Sequence, residues 1–331
     1  MTSGASDISV IIPFFNRERY IEEAVQSVLA QTLQPLEILI VNDCSRESSR
    51  RYLDRYANLC RIVDLPVNVG LAGARNAGIR LARGQFIALL DDDDIWLTRK
   101  LELQRKYMED HPECSGVHSA VWAMLPDQPD TLYRRFGTWW KPISEVNWLA
   151  PGEPMAGPLT LAQALMNDNW VIPSTMMFRT EVVQALGGFD PHFRQVEDRD
   201  FILRFCAAGY QIEGIYEPLA KLRREGHSSL TGRRWRIFRS DLKMCWKHRA
   251  LFLRAYGWLG IVWFLVEKLQ EPTFGIPYVY GAVRRLYWIF RWKCPIKSDY
   301  KEPVGSPRPP SQPAHQKSPI DKVTLIGGHS L

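Results

Sequence analysis

Along the first ninety residues the apolar positions follow two periods in turn. Ile8–Phe15 (ISVIIPFF) is an almost unbroken apolar run, the mark of a strand buried on both faces, and Asn16 after it suits a loop. From Arg19 to Gln31, apolar residues at Ile21, Ala24, Val25, Val28 and Leu29 share one face of a helix. Leu36–Asp43 predicts a second strand, and Ser45 a cap for a helix reaching Tyr56. Arg61–Leu65 predicts a third strand, and Leu71–Ala82 a helix with Gly84 as its glycine stop. The segment QFIALLDDDD then drives a fourth buried strand straight into Asp91, Asp92, Asp93 and Asp94. This order predicts an α/β fold: a mostly parallel, doubly wound central sheet with helices on both faces, whose ligands gather at the carboxyl ends of the strands.

The middle of the chain is less regular. A helix from Thr98 closes at Asp110, and the proline-rich stretch from Trp122 to Pro158 predicts strands and loops inserted into the sheet. Leu159–Asn167 reads as a helix, Thr175–Arg179 as a short strand, and Thr180–Leu186 as a helix stopped by Gly187 and Gly188. Glu197–Ala208 predicts a helix and Gln211–Tyr216 a strand. Beyond Gly232 the pattern is helical to about Trp292, and Lys301–Pro319 is too rich in proline to pack. Three parts follow: an α/β domain over residues 1–232, a helical extension over 233–297 and a disordered tail over 298–331.

Composition narrows the class. With 46% hydrophobic and 24% charged residues the chain is an ordinary globular one. Its six scattered cysteines, with no CxxC pair, argue against a disulfide framework or zinc site and suit a reducing compartment. The N-terminus lacks the basic start and long apolar core of a signal peptide, so cytoplasmic residence is the expectation. The charge is unevenly placed: Arg233–Lys297 holds 14 Lys/Arg against three acids, a balance of +11 that leaves the remainder at −5. Six of the twelve tryptophans lie in the same segment. A basic, aromatic-rich extension predicts peripheral contact with an anionic membrane. The absence of zinc-finger or ribonucleoprotein-type motifs counts against nucleic acid. Ala250–Leu269 holds an uninterrupted apolar core of only about a dozen residues, short of the ~20 of a spanning helix, and only by including Arg254 would it stretch to a marginal span.

Chemistry concentrates in two acidic places. Four consecutive carboxylates at a strand's end repel one another and call for a counter-charge. Hard oxygen ligands suit Mg²⁺ or Mn²⁺ shared with a diphosphate, and acids also favour the start of a helix. Glu197 and Asp198 open a predicted helix, where a carboxylate can serve as a general base or as a dipole-favoured residue of the first turn.

Taken in order, VIIPFFNRERYIEEAVQSVLAQT, EILIVNDCS, NVGLAGARNAGIRLARGQFIALLDDDDIW and GGFDPHFRQVEDRDFILRFCAAGY resemble the motifs of the inverting family 2 glycosyltransferases of GT-A fold. The resemblance spans about Ile8 to Gly232. It implies a nucleoside-diphosphate sugar donor, a UDP-sugar by the match at Asp43, and an acceptor hydroxyl on a glycan or lipid-linked precursor of cell-surface polysaccharide. Pro13, Phe15 and Asn16 would cradle the base and Asp43 would accept the uracil imide. Arg75 and Asn76 would hold the nucleotide, Asp91 and Asp92 the ribose, Asp93 the metal, and Asp198 would be the base. Where relatives often carry a histidine two residues after the position of Arg223, this chain has Glu225, with His227 two residues later. A sugar nucleotidyltransferase or an inactive membrane-bound scaffold are the rival readings; a dehydrogenase would need the GxGxxG that the first strand–helix turn lacks.

Overall fold

The computed structural model describes residues 6–124, 131–136, 139–142, 159, 161–165, 172–223, 230–273 and 324–325. The expected alternation holds through the first half: β1 (Ile8–Phe14), α1 (Ile21–Leu29), β2 (Glu37–Asn42), α2 (Glu47–Tyr52) with a 3₁₀ turn at Leu53–Tyr56, β3 (Arg61–Asp64), α3 (Gly70–Leu81) and β4 (Phe86–Leu89). Then come β5 (Ile95–Trp96), α4 (Lys100–Asp110), β6 (Cys114–Met124), β7 (Thr131–Phe136), β8 (Trp139–Pro142), α5 (Leu161–Leu165) and a 3₁₀ turn at Pro173–Thr175. The rest is β9 (Met177–Arg179), α6 (Thr180–Ala185), α7 (Glu197–Ala207), β10 (Gln211–Arg223), α8 (Leu230–Lys247), α9 (Arg249–Thr273) and β11 (Thr324–Leu325).

The strands form one mixed sheet in the order β11-β3-β2-β1-β4-β9-β6-β10-β5, with the β7–β8 hairpin joined to β6. Its first half is parallel, Ile11 of β1 lying beside Leu39 of β2 and Leu89 of β4. Alternate residues of β1 serve opposite faces. Val10, Ile12 and Phe14 pack with Ile21, Val25 and Val28 of α1, whereas Ile11 packs in the cluster of Ala74 and Ala77 from α3. Two buried faces account for the unbroken apolar runs. Because β1 lies between β2 and β4, the ends of three strands, at Phe14, Asn42 and Leu89, open at the point where the strand order reverses.

Several local expectations change. Ser45 does not cap α2: the helix starts after Arg46, and Ser45 Oγ accepts the Asn16 N–H at 3.1 Å. Gly84 is not a left-handed helix stop, since α3 already ends in extended backbone at Ala82. Its need is for space, because a Cβ there would stand 2.5 Å from the Asp7 carbonyl oxygen. The strand expected over Gln211–Tyr216 continues to Arg223, with register shifts on either side of Pro218 against β6. Thr324–Leu325, inside the segment expected to be disordered, pairs antiparallel with β3. The rest of that tail, the helix expected near Trp292, and Glu225 and His227 lie outside the described residues.

Candidate active site

A cavity of about 560 Å³ opens at the strand ends. Pro13 lines it from the end of β1, Phe15 and Arg17 from the loop that follows, and Asp43, Asn68, Gly70, Leu71 and Ala74 from the β2 and α3 side. Asp91, Asp92, Asp93 and Asp94 form its floor after β4, with Ile172, Arg194, Leu222 and Arg223 closing the rim. Phe15 is 46% exposed, an aromatic face turned outward from a loop whose neighbours are core.

The four acids do different work. Asp94 is buried and tied into the scaffold: Ser174 Oγ donates to it at 2.5 Å and the Arg223 N–H at 3.1 Å. The same Ser174 hydroxyl accepts the Asp91 N–H at 3.1 Å, so one serine pins both ends of the turn. Asp91 accepts Arg75 Nη2 at 2.6 Å. Arg17 Nη1 lies between Asp92, at 3.0 Å, and Asp93, at 2.6 Å. Burial pushes the Asp92 carboxyl up to about 7, reinforced by Asp93 and Asp91 and opposed by Arg17. Burial likewise raises Asp93 and holds Asp94 well above the usual carboxylate range. The four carboxylates face Arg17, Arg75 and Arg223, of which Arg75 is shared with Glu197 and Arg223 with Glu23, so their charge is not fully compensated.

That surplus charge is the physical test of fit for a cation. Among the described residues no three His, Cys, Asp or Glu side chains form a ready-made metal cage. A hard divalent ion bound by one or two carboxylates, with diphosphate and water completing its shell, is the mode such a set suits. Asp93 is 27% and Asp91 23% exposed, and both line the cavity, so the turn presents carboxylate to it.

The remaining expected residues are placed as follows. Asp43 accepts the N–H groups of Val69 and Gly70 at 2.7 and 2.9 Å, anchoring the start of α3 while its carboxylate lines the cavity. Burial raises its carboxyl despite these bonds. Asn16, at φ 53°, is a turn residue whose side chain accepts the Arg46 N–H, and it is absent from the lining. Asn76 spends both ends of its amide on the backbone of Phe189, 2.7 and 2.8 Å away, and Arg75 is 1% exposed. Neither reaches the lining. Arg75 instead bridges Asp91 to Glu197, at 2.6 and 2.9 Å, coupling the acidic turn to the first residue of α7.

At that helix start three acids differ sharply. Glu197 is buried on Arg75. Asp200, fully buried, accepts from Arg204, Lys247 and His248 at 2.7–2.9 Å, and these partners hold its carboxyl far below the usual range against its burial. Asp198 receives the adjacent Arg199 N–H at 2.8 Å and no hydrogen bond from a basic side chain among the described residues. It lies outside the cavity lining. Val196, just before Glu197, has φ 61°, an uncommon state for a β-branched residue that marks a constrained helix start. Arg17, Ser174 and Arg194 were missed at the sequence level, because nothing local separates them from surface residues.

Comparison with known proteins gives this geometry its setting. Residues 9–184 match the family described as glycosyl transferase family 2. The amylovoran biosynthesis glycosyltransferase AmsE of Erwinia amylovora is 28% identical over 285 residues, 84% of this chain and 99% of that relative. The S. aureus TarS structure with UDP-GlcNAc shares the fold at TM-score 0.57 and 19% identity, over 82% of this chain and 73% of that one. The mannosyltransferase PcManGT of Pyrobaculum calidifontis, in complex with GDP-Man and Mn²⁺, superposes at TM-score 0.54 and 17% identity, over 87% of this chain and 82% of that one. With more than half of its length matched to the family and its fold shared with these transferases, the chain belongs to glycosyl transferase family 2 and is a glycosyltransferase of GT-A fold.

Proposed function

We propose that this glycosyltransferase moves a sugar from a UDP-sugar to an acceptor hydroxyl with inversion, with Mg²⁺ or Mn²⁺ at the acidic turn. The observation that carries this reading is the shared cavity: Phe15 and Asp43 stand on one side of it and Asp91–Asp94 on its floor. Phe15 offers a ring for the base to stack on, and Asp43 keeps acceptor capacity for an imide N–H. Asp91 and Asp92 would meet the ribose and Asp93 would hold the metal. A divalent ion there would offset the charge that develops on the departing diphosphate. TarS binding UDP-GlcNAc and PcManGT binding Mn²⁺ support the donor class and the metal.

Asp198 would take the proton of the acceptor hydroxyl as that oxygen attacks the anomeric carbon. It is favoured over its neighbours because Glu197 and Asp200 are already committed to cations. Direct displacement needs no covalent intermediate, so no nucleophilic serine or cysteine is required. A glycan or lipid-linked acceptor at a membrane surface fits the exposed basic and aromatic residues of α8 and α9. Among the described residues no helix is long and apolar enough to cross a membrane. Incubation with UDP-, GDP- and dTDP-sugars, each with and without Mn²⁺ or Mg²⁺, tests the reading by nucleotide release. UDP release that requires metal is expected; release from none of the donors would overturn it.

A further inference from the structure

One basic side chain on the acidic turn has no task in that account. Arg17 reaches from the loop after β1 so that a single nitrogen sits between Asp92 and Asp93. Its side chain is 50% exposed and lines the cavity. The other two arginines on the turn are fixed differently. Arg75 is sealed in the core, and Arg223 is held by Glu23, by the Asp93 carbonyl and against the Tyr20 ring. Arg17 therefore has both the reach and the freedom to exchange partners.

Its position also sets up a conflict. A metal bound by Asp93 would share that carboxylate with a guanidinium 2.6 Å from it, and two cations on one carboxylate repel. A nucleoside diphosphate removes the conflict, because it brings negative oxygens to which an arginine forms charge-assisted bonds. We propose that Arg17 is a built-in counter-cation for Asp93. It neutralises the carboxylate before the donor arrives, yields it when metal and nucleoside diphosphate enter together, and passes its own charge to the diphosphate. Arg17 then opposes metal alone and favours metal with nucleotide, which is a positive coupling between the two ligands.

This inference rests on the metal reading above, and the test separates the two. Mn²⁺ would be titrated by calorimetry into wild type, Arg17→Gln and Asp93→Asn, each with and without UDP, with melting temperatures as controls. Without UDP, Arg17→Gln should bind Mn²⁺ ~5-fold more tightly than wild type, the low end of ordinary coupling. With Mn²⁺ present it should bind UDP ~10-fold more weakly, as loss of a charged hydrogen bond predicts, and Arg17→Lys should recover part of that loss. A merely structural arginine would weaken both ligands when replaced. Wild type that binds Mn²⁺ with Arg17→Gln no tighter would overturn the counter-cation and leave the metal reading standing. Wild type that ignores Mn²⁺ even with UDP would overturn both.

Discussion

Asp198 and Asp200 are two residues apart, yet their surroundings assign them opposite roles. Asp200 has no exposed side-chain surface and three basic partners, so Asp200→Asn should leave the partly buried Arg204 and Lys247 short of their counter-charge and cost ~3 kcal/mol in denaturant unfolding. Its carboxyl is depressed in the folded state, so its contribution is present above the ordinary carboxylate range and is lost as pH falls below it. Asp198→Asn keeps an oxygen for the Arg199 N–H and should leave stability and UDP affinity intact. Its transfer rate at saturating donor should fall ~10²–10⁴-fold; a normal rate would remove Asp198 from the chemistry. His118 supplies a separate pH dependence. Both its ring nitrogens are buried, with only the Ser119 backbone near enough to oppose the effect among the described residues, and burial lowers it to about 4. The unfolded chain therefore binds the extra proton between pH 6.5 and 4, and stability should drop across that window as pH falls. The loss is at most about 3 kcal/mol, and melting curves of His118→Leu should show a shallower slope there.

At the scale of elements, the acidic turn is rigid because neighbours clamp it. Ser174 ties Asp91 to Asp94, Arg223 ties it to β10, and Arg75 ties it to α7. The contact that aligns β1 with the start of β4 is equally strict. Gly84 faces the Asp7–Ser9 backbone, with the Ser9 nitrogen 2.6 Å from where a Cβ would stand, and backbone cannot rotate aside as a side chain can. Gly84→Ala should therefore destabilise by ~1–3 kcal/mol through overpacking, measured as a lower urea midpoint. A neutral result would mean that the Asp7–Ser9 backbone yields more readily than its position suggests.

At the scale of the molecule, α8 and α9 belong to the body of the protein and also present a surface. Met244, Cys245, Phe252 and Phe264 join the core cluster with Phe201 and Phe205 of α7. Removing everything after Gly232 would expose that core, so truncation is a poor probe of membrane contact. The outer side is better suited. Trp235, Leu242 and Trp246 are spaced seven and four residues apart, on one stripe of α8, and are 38%, 38% and 70% exposed. Arg236, Arg239, Lys243, Arg249 and Arg254 are exposed on the same two helices. With roughly 1 kcal/mol for each basic residue near an anionic surface, the intact chain should co-sediment with phosphatidylglycerol vesicles and be released by salt. Trp235→Ser with Trp246→Ser, or Arg239→Glu with Lys243→Glu, should weaken binding at unchanged melting temperature. Equal sedimentation with neutral and anionic vesicles would count against the idea.

What the sequence determined by itself were the features whose cause is local. Buried runs and helical spacing identified β1 to β4 and α1 to α4 within a few residues, because a strand covered on both faces must be continuously apolar. Four acids after such a run located the floor of the cavity, because that much like charge at a strand end is costly without a partner. Pairing was not legible. Ile95–Trp96 is too short to carry a pattern, and although Thr175–Arg179 reads as a short strand, the place of β9 between β4 and β6 exists only once both neighbours are in position. The roles within the site were decided the same way. Asp43 and Asp93 reach the cavity, whereas Arg75 and Asn76, adjacent in a matching motif, are drawn inward to Glu197 and Phe189 by groups more than a hundred residues away. A residue type restricts the bonds a side chain can make, and only tertiary structure decides which partner arrives to make them.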